Sequence, residues 1–381
     1  MRPEFKEAVK IAATGEYKCI PVSLELYADQ YTPLMVLRKL KNVSRHCYML
    51  ESAEDNQKWG RYTFLGYDPR LEITCTNGKL TIKNGTSVNM ETNHPGEYIR
   101  QILDENKSPK IEGFPTFTGG LVGYFSYDYM KYAEPSLVLD AEDKEGFKDV
   151  DLMLFDKVIA FDHFRQKIIL IVNIRCEDLK TEYHRAELEL STMKQLIQSG
   201  EMAEEIPGRC TSEFRALFNQ KQYCSMVEKA KHYIREGDIF QVVLSNRMEA
   251  DYEGSLLDTY RVLRTVNPSP YMFYFSSDDM EIAGASPETL VKLENKTLHT
   301  FPLAGTRPRG ATEAEDQRLE QELLADEKEC SEHNMLVDLA RNDVGRVAEF
   351  GSVTVPEYLR VHRYSKIMHL ASVVEGRLRG G

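Results

Sequence analysis

Cysteine pairs are missing from this sequence. The seven cysteines, Cys19, Cys47, Cys75, Cys176, Cys210, Cys224 and Cys330, are scattered, odd in number and never spaced C-x-x-C. That pattern speaks against a zinc ribbon or a disulfide framework and fits reduced thiols in a cytosol. Long apolar runs are missing too. The longest, Ile168 to Val172, is far too short to span a bilayer, and no basic segment precedes an apolar stretch at the N-terminus. Positive charge is in deficit: the net charge of −12 speaks against binding nucleic acid or an anionic membrane through bulk electrostatics. A local pocket, a cation or backbone amides can still hold an anionic metabolite. The expectation is a soluble cytoplasmic protein with no nucleic-acid and no membrane partner.

The 381 residues, 42% hydrophobic and 28% charged, suffice for two ordinary domains or one large one. The first half reads as short strands and helices in alternation. Thr32-Pro33 opens a helix through Lys39, with Thr as cap and Pro at the first helical position. Residues 46–52 and 60–66 are strand-like, and 71–83 form a hairpin around Asn77-Gly78. A longer hairpin is expected over 151–175, then a polar amphipathic helix from about Thr181 to Gln198. Residues 199–213 lack periodicity and read as a linker between regions 1–200 and 214–381. Beyond it come a helix from Gln222 to Arg235, a strand IFQVVLSNRM, a helix SLLDTYRVLRTV, several strands between Tyr271 and Thr306, one long charged helix from about Glu313 to Arg341, and closing strands. Hairpins with helices outside a strict βαβ alternation predict an α+β fold of antiparallel sheets packed as a sandwich, helices outside.

The charged helix carries the first candidate site. Leu336 and Leu339 are expected to face a core, and stepping back by helical spacing places Glu332 and Glu329 on the same face. Inward carboxylates are costly unless compensated, and a hard divalent cation bound through oxygen removes the cost. The same spacing also describes a solvated Glu-rich helix. In FPLAGTRPRG (301–310), a strand enters a Pro/Gly-flanked turn whose glycine lets backbone approach a ligand closely; an ordinary turn with solvent-facing arginines satisfies the pattern equally. GASPE (284–288) leads to Glu288, which in a dry, tight turn would have the raised pKa of a general acid, and in an exposed one would not. His369 lies in an apolar strand-like segment, where a lone histidine is ordinarily a hydrogen-bonded core residue.

Taken in order, GDIFQVVLSNR (237–247), NPSPYMFYF (267–275), GASPETLV (284–291), PLAGTRPRG (302–310), DEKECSEHNMLVDLARNDVGRV (326–347) and YSKIMHLASVVEG (364–376) resemble the chorismate-utilising enzymes. Within them the chain is most similar to the anthranilate synthase component I branch, and YMLESAEDNQKWGRYTFLGYDP (48–69) resembles that branch's N-terminal, tryptophan-regulatory region. Two positions sort the relatives. Enzymes similar to aminodeoxychorismate synthase carry a lysine before the Gly-Thr pair, where this chain has Ala304. The water-using isochorismate and salicylate synthases carry a water-activating lysine on the IFQVV strand, where this chain has Gln241.

The resemblance implies a lyase that converts chorismate and ammonia to anthranilate and pyruvate, the first step of tryptophan biosynthesis. It implies Mg2+ held through Glu329 and Glu332, Gly305 and Thr306 on substrate oxygens, Glu288 as acid, His369 near the ring, and Gln241 at the catalytic position just named. Ammonia would come from a separate glutamine amidotransferase subunit, component II. Neither Cys224 nor Cys330 has the Gly-x-Cys-x-Gly surroundings of a nucleophile elbow. A feedback site for tryptophan is implied at Glu51, Ser52, Asn267, Pro270, Tyr271 and Met272. Members of the family continue past the position of Gly381 with a GAPK segment, a Gly-rich loop and further glutamates. The chain is therefore expected to be truncated at its C-terminus, with an open sheet edge and little or no synthase activity alone. A non-catalytic tryptophan- or chorismate-binding fragment, or a sister enzyme, are the competing readings.

Overall fold

The computed structural model describes residues 1–52, 60–138, 142–204, 206–364 and 367–380. The chain falls into two compact units, Met1–Ser286 and Pro287–Gly381. That division lies well past the linker expected at 199–213, and the reason is sheet pairing. Strands Tyr271–Ser276 and Glu281–Ser286 join the sheet begun near the N-terminus, with Met272 opposite Glu51.

In the first unit a seven-stranded antiparallel sheet runs in the order Cys19–Tyr27, Lys167–Arg175, Lys157–Asp162, Tyr62–Tyr67, Cys47–Glu51, Tyr271–Ser276, Glu281–Ser286. The isoleucine-rich strand Lys167–Arg175 is buried on both faces, as an uninterrupted apolar run demands. Ile168, Leu170, Val172 and Ile174 meet the helices Phe5–Ala13, Pro33–Val43 and Leu179–Ser199 in the main core. Each fully buried aliphatic side chain there contributes about 1.5–3 kcal/mol. A five-stranded antiparallel sheet, Thr86–Glu91, Lys79–Asn84, Leu71–Thr76, Val150–Phe155, Gly120–Phe125, packs one face on helix Pro95–Asp104 through Ile99 and Ile102. Its Met153 and Phe155 meet Tyr48 and Phe275 of the larger sheet. The sandwich expected from the patterning is present in this unit.

The long hairpin expected over 151–175 is present between Lys157–Asp162 and Lys167–Arg175, and a corner breaks its first arm. Val150–Phe155 belongs to the small sheet and Lys157–Asp162 to the large one, so the chain changes sheets at Asp156. The backbone carbonyl of Asp156 accepts from Asn173 N at 2.8 Å, which closes the corner without glycine or proline. The Asn77-Gly78 turn is as expected, with φ of +48° and +79°. Thr32 caps its helix by accepting from Met35 N at 3.3 Å, and the helix runs on to Val43.

Two further expectations fail. The segment 239–247 is not a strand, and Gln241 is exposed on it beside Phe240 (88% exposed) and Val243 (85% exposed). A strand persists only where a neighbour pairs its amides and carbonyls, and no described strand runs alongside. The helix before it, Gln220–Glu236, has the Asn219/Gln222 capping box and stops at Gly237, yet buries no residue. The single charged helix is in fact two, Glu313–Ala325 and Glu327–Val347, broken at Asp326 (φ −79°, ψ 104°).

In the second unit Ile367–Arg377 is the central strand. It pairs along one edge with Thr354–Arg363, and along the other with Thr297–Thr300 and Leu303–Pro308, while Lys292–Glu294 pairs with Thr297–Thr300. Helix Glu327–Val347 lies on this sheet through Val337, Ala340 and Val344. Among the described residues, no helix is long and apolar enough to cross a membrane.

Candidate active site

Strand Leu303–Pro308 carries the Gly-Thr turn, and a bulge sets its geometry. Ala304 pairs with Leu370 and Thr306 with His369, so Gly305 is the extra residue. Its φ of +76° is left-handed, and a Cβ there would lie 3.0 Å from Leu370 Cδ1 and 3.3 Å from both Cβ and Oε2 of Glu329. Glycine is what this backbone requires. The same numbers place the Glu329 carboxylate against the turn.

The break at Asp326 puts Glu329 there. Asp326 caps the second helix by accepting from Lys328 N and Glu329 N, and its outer oxygen accepts from Arg307 Nη2 at 2.7 Å. These contacts, the Glu329 amide first, hold the Asp326 carboxyl below its usual range. Arg307 therefore ties the strand of the turn to the cap of the helix, a role the sequence reading left to solvent. Glu329 sits in the first turn, where the helix dipole favours an anion.

The buried stripe of this helix is His333, Val337, Ala340 and Val344. Leu339, expected to face the core, is 53% exposed. Glu329, one turn before His333, continues the true stripe, with its side chain 18% exposed. Glu332 is half-buried and lies to one side, about 60° round the helix from Glu329. Glu329 approaches Lys328 Nζ at 3.4 Å, whereas Glu332 has no hydrogen bond or ion pair among the described residues.

His369 faces the turn across the ladder. Its Nδ1 lies 2.9 Å from Thr306 Oγ1 and 3.3 Å from the carbonyl oxygen of Gly305. A carbonyl only accepts, so we assign the proton to Nδ1, which leaves the lone pair on Nε2. The Tyr364 ring packs edge-on against the imidazole at 5.8 Å. Arg309 grips Asp316 (Nη2 to Oδ2, 2.5 Å), Gly310 N donates to the same carboxylate at 2.6 Å, and Arg309 Nη1 reaches Tyr364 O at 2.5 Å. Those donors, the guanidinium first, lower the Asp316 pKa to about 2. His333, which sequence reasoning missed, is fully buried with Nε2 at 2.7 Å from Ser372 Oγ. Burial pushes its pKa down and keeps it neutral. Its signal was present as the first apolar-stripe position after the acidic pair.

The structure thus brings together Gly305, Thr306, His369 and Glu329, with Glu332 on the adjoining helix face. Glu288 stands apart from the dry-turn expectation: it is exposed, in a loop ahead of strand Lys292–Glu294. Gln241 belongs to the first unit. Ser365 and Lys366 of the His369 motif lie outside the described residues, as do positions 53–59 of the N-terminal motif.

No group of three or more His, Cys, Asp or Glu side chains able to hold a metal occurs among the described residues. Two half-buried carboxylates remain, an oxygen-only donor set. Magnesium takes one or two protein carboxylates and completes its shell with water and substrate oxygens, so Glu329 and Glu332 fit it.

In the first unit the positions assigned to tryptophan also converge. Glu51 ends its strand opposite Met272, the adjacent Ser52 is half-buried, and Asn267 and Pro270 lie in the turn that leads into Tyr271. Met272 is 2% exposed, Tyr271 and Pro270 are half-buried, and Asn267 is exposed.

Residues 28–381 match the chorismate binding enzyme family, and the chain belongs to it. Anthranilate synthase component 1 of Aquifex aeolicus is 42% identical over 376 residues, 96% of this chain and 75% of the relative. The protein of the same name from Acetivibrio thermocellus is 40% identical over 383 residues, 98% of this chain and 77% of the relative. Among solved structures, anthranilate synthase component I of Streptococcus pneumoniae superposes with a TM-score of 0.68 at 33% identity, covering 84% of this chain and 69% of its own. The menaquinone-specific isochorismate synthase of Escherichia coli shares the fold, with a TM-score of 0.63 at 16% identity, covering 98% of this chain and 76% of its own.

Proposed function

We propose that the chain converts chorismate and ammonia to anthranilate and pyruvate, as the large subunit of an anthranilate synthase. The observation that carries the reading is the approach of Glu329 to the Gly305 bulge, beside Thr306 and His369. Residues 214–381 hold the substrate and residues 1–200 the regulatory part. Ala304 in place of lysine disfavours an aminodeoxychorismate synthase, and Gln241 disfavours a water-using relative.

Gly305 lets substrate oxygens approach the backbone, and Thr306 orients both substrate and imidazole. Glu329 and Glu332 would hold magnesium, which supplies Lewis-acid polarisation and a template for the ring carboxylate when bound. In the first step the bond from nitrogen to ring carbon 2 forms as the carbon–oxygen bond at carbon 4 breaks, and the departing hydroxyl takes a proton, from Glu288 in this reading, to leave as water. In the second the proton on carbon 2 is removed and the ring becomes aromatic. The enolpyruvyl carbon–oxygen bond breaks, and the released enolpyruvate gains a proton to become pyruvate. His369, with its lone pair on Nε2, serves that elimination. Nothing in the chain resembles a glutamine-cleaving nucleophile, so ammonia from glutamine requires a component II amidotransferase. Glu51, Ser52, Asn267, Pro270, Tyr271 and Met272 form a feedback site for tryptophan, and the protein works in the cytoplasm.

The test is fluorescence of anthranilate formed from chorismate, ammonium and magnesium. Anthranilate from the wild-type chain, with a loss of at least about 100-fold in Glu329→Gln, supports the reading and overturns the expectation of little or no activity alone. Chorismate consumed to isochorismate or aminodeoxychorismate would assign a sister reaction, and chorismate left untouched would sink the proposal for this polypeptide.

A further inference from the structure

His333 is fully buried on the stripe of helix Glu327–Val347 that faces the sheet. Its Nε2 lies 2.7 Å from Oγ of Ser372, itself buried on the central strand. The Leu359 amide donates to the same hydroxyl oxygen at 3.0 Å, and the Ser372 amide donates to the Pro302 carbonyl at 3.1 Å. Helix, central strand and the chain on either side of it therefore hold the ring in one place. Its Nδ1 is buried too, and has no hydrogen-bond partner among the described residues.

Counting hydrogens places the proton on this ring. The imidazole makes no ion pair among the described residues and, fully buried, is neutral. Ser372 has one hydroxyl hydrogen, and its oxygen already accepts from Leu359. If that hydrogen goes to Nε2, the ring proton sits on Nδ1 and a single buried donor is left unmatched. If the proton sits on Nε2 instead, the hydroxyl hydrogen and the Nδ1 lone pair are both left over. The first arrangement strands fewer polar groups, so we assign the proton to Nδ1. A buried N–H without an acceptor is rare in folded proteins, and an ordered water is its usual remedy.

We infer that His333 is a positioning residue for Glu329, its Nδ1–H holding the carboxylate through one ordered water. Glu329 lies four residues earlier, one turn back along the same stripe. Side chains on a helix lean towards its N-terminus, so the imidazole leans over the turn that carries Glu329. Nδ1 is the ring nitrogen nearer the helix, and Glu332 is turned about 100° away round the axis. The Glu329 side chain, 18% exposed, meets Lys328 at 3.4 Å and has acceptor positions to spare. No direct hydrogen bond joins the two residues, so the water is placed between them. A carboxylate that ligates a cation is aimed by the hydrogen bond behind it, and losing that partner weakens metal binding about 10- to 100-fold. This rests on the reading of Glu329 as a magnesium ligand, and it adds the residue that aims it.

Binding of Mn2+ to the whole chain, followed by electron paramagnetic resonance, tests it, because manganese takes the same oxygen ligands as magnesium. Two substitutions separate the ring nitrogens: an Asn amide sits where Nδ1 does, and a Gln amide where Nε2 does. His333→Gln should weaken Mn2+ by about 10-fold or more, and His333→Asn by less than about 3-fold. The urea midpoint should fall further in His333→Asn, which loses Ser372, so affinity and stability move in opposite orders. If wild-type protein binds no Mn2+, or Glu329→Gln binds it equally, the metal reading falls and this inference with it. If Glu329→Gln loses the metal while His333→Gln keeps wild-type affinity, the inference alone falls and His333 is structural. Should the variants not fold, nitrogen NMR of the wild-type imidazole decides: a proton on Nδ1 supports the assignment, and one on Nε2 overturns it.

Discussion

Two carboxylates, Glu51 in the first unit and Glu329 in the second, sit in comparable places and are treated in opposite ways. Both are largely withdrawn from water, at 8% and 18% side-chain exposure. Glu51 is neutralised internally by Arg264 and Tyr260. Glu329 has only an approach of 3.4 Å from Lys328, itself 81% exposed, and lies close against the glycine bulge. A carboxylate compensated within the fold serves the fold as well as any ligand. One left uncompensated beside a glycine turn is, in the function proposed above, the one available to a cation or substrate.

Unfolding experiments can break this comparison. The largest effect is expected for Glu51→Gln, which strands Arg264 against the sheet; with Arg264 part-exposed, about 2–3 kcal/mol of stability should be lost in urea titration. Gly305→Ala should cost about 1–2 kcal/mol from its left-handed backbone alone, with crowding of Leu370 and Glu329 in addition. Its melting temperature and its magnesium-dependent turnover should fall together. A smaller effect appears only in acid. The Asp316 pKa is lowered from 3.8 to about 2, so its contribution is complete above about pH 4 and disappears as pH falls towards 2. In Asp316→Asn the urea midpoint should change less over that window than in the wild type, and an identical acid leg would refute the assignment. The smallest effect is for Glu329→Gln without magnesium or substrate, where stability should stay within about 0.5 kcal/mol. A loss as large as that of Glu51→Gln would erase the distinction.

Local chemistry was legible in the sequence where it acts at short range. Asn77-Gly78 and Thr32-Pro33 announce a turn and a helix start because their backbone angles and donors are consumed within a few residues. Antiparallel pairing and the α+β class followed from hairpin spacing. The Asp156 corner was invisible because no glycine or proline marks it, and the hydrogen bond that closes it comes from Asn173. Asp326 was read through because aspartate is tolerated inside a helix and favoured at its cap, and only the tie to Arg307 decides between them. IFQVV has a strand's composition, but composition cannot say whether a neighbouring strand is present. Glu329 and Glu332 were singled out by helical spacing and His369 by its apolar segment, with roles supplied only by resemblance, whereas Arg264 escaped notice because its partner is 213 residues away in sequence.

The Arg307–Asp326 tie has a consequence for how the second unit assembles. The two residues are separated by only 19 positions, so that joining strand to helix cap closes a small loop at low entropic cost. The approach of the helix cap to the Gly-Thr strand is thus secured by neighbours in the chain, while the bulge that completes the cradle waits for strand Ile367–Arg377 to pair. The tie can therefore form first and hold the spacing onto which the later strand closes.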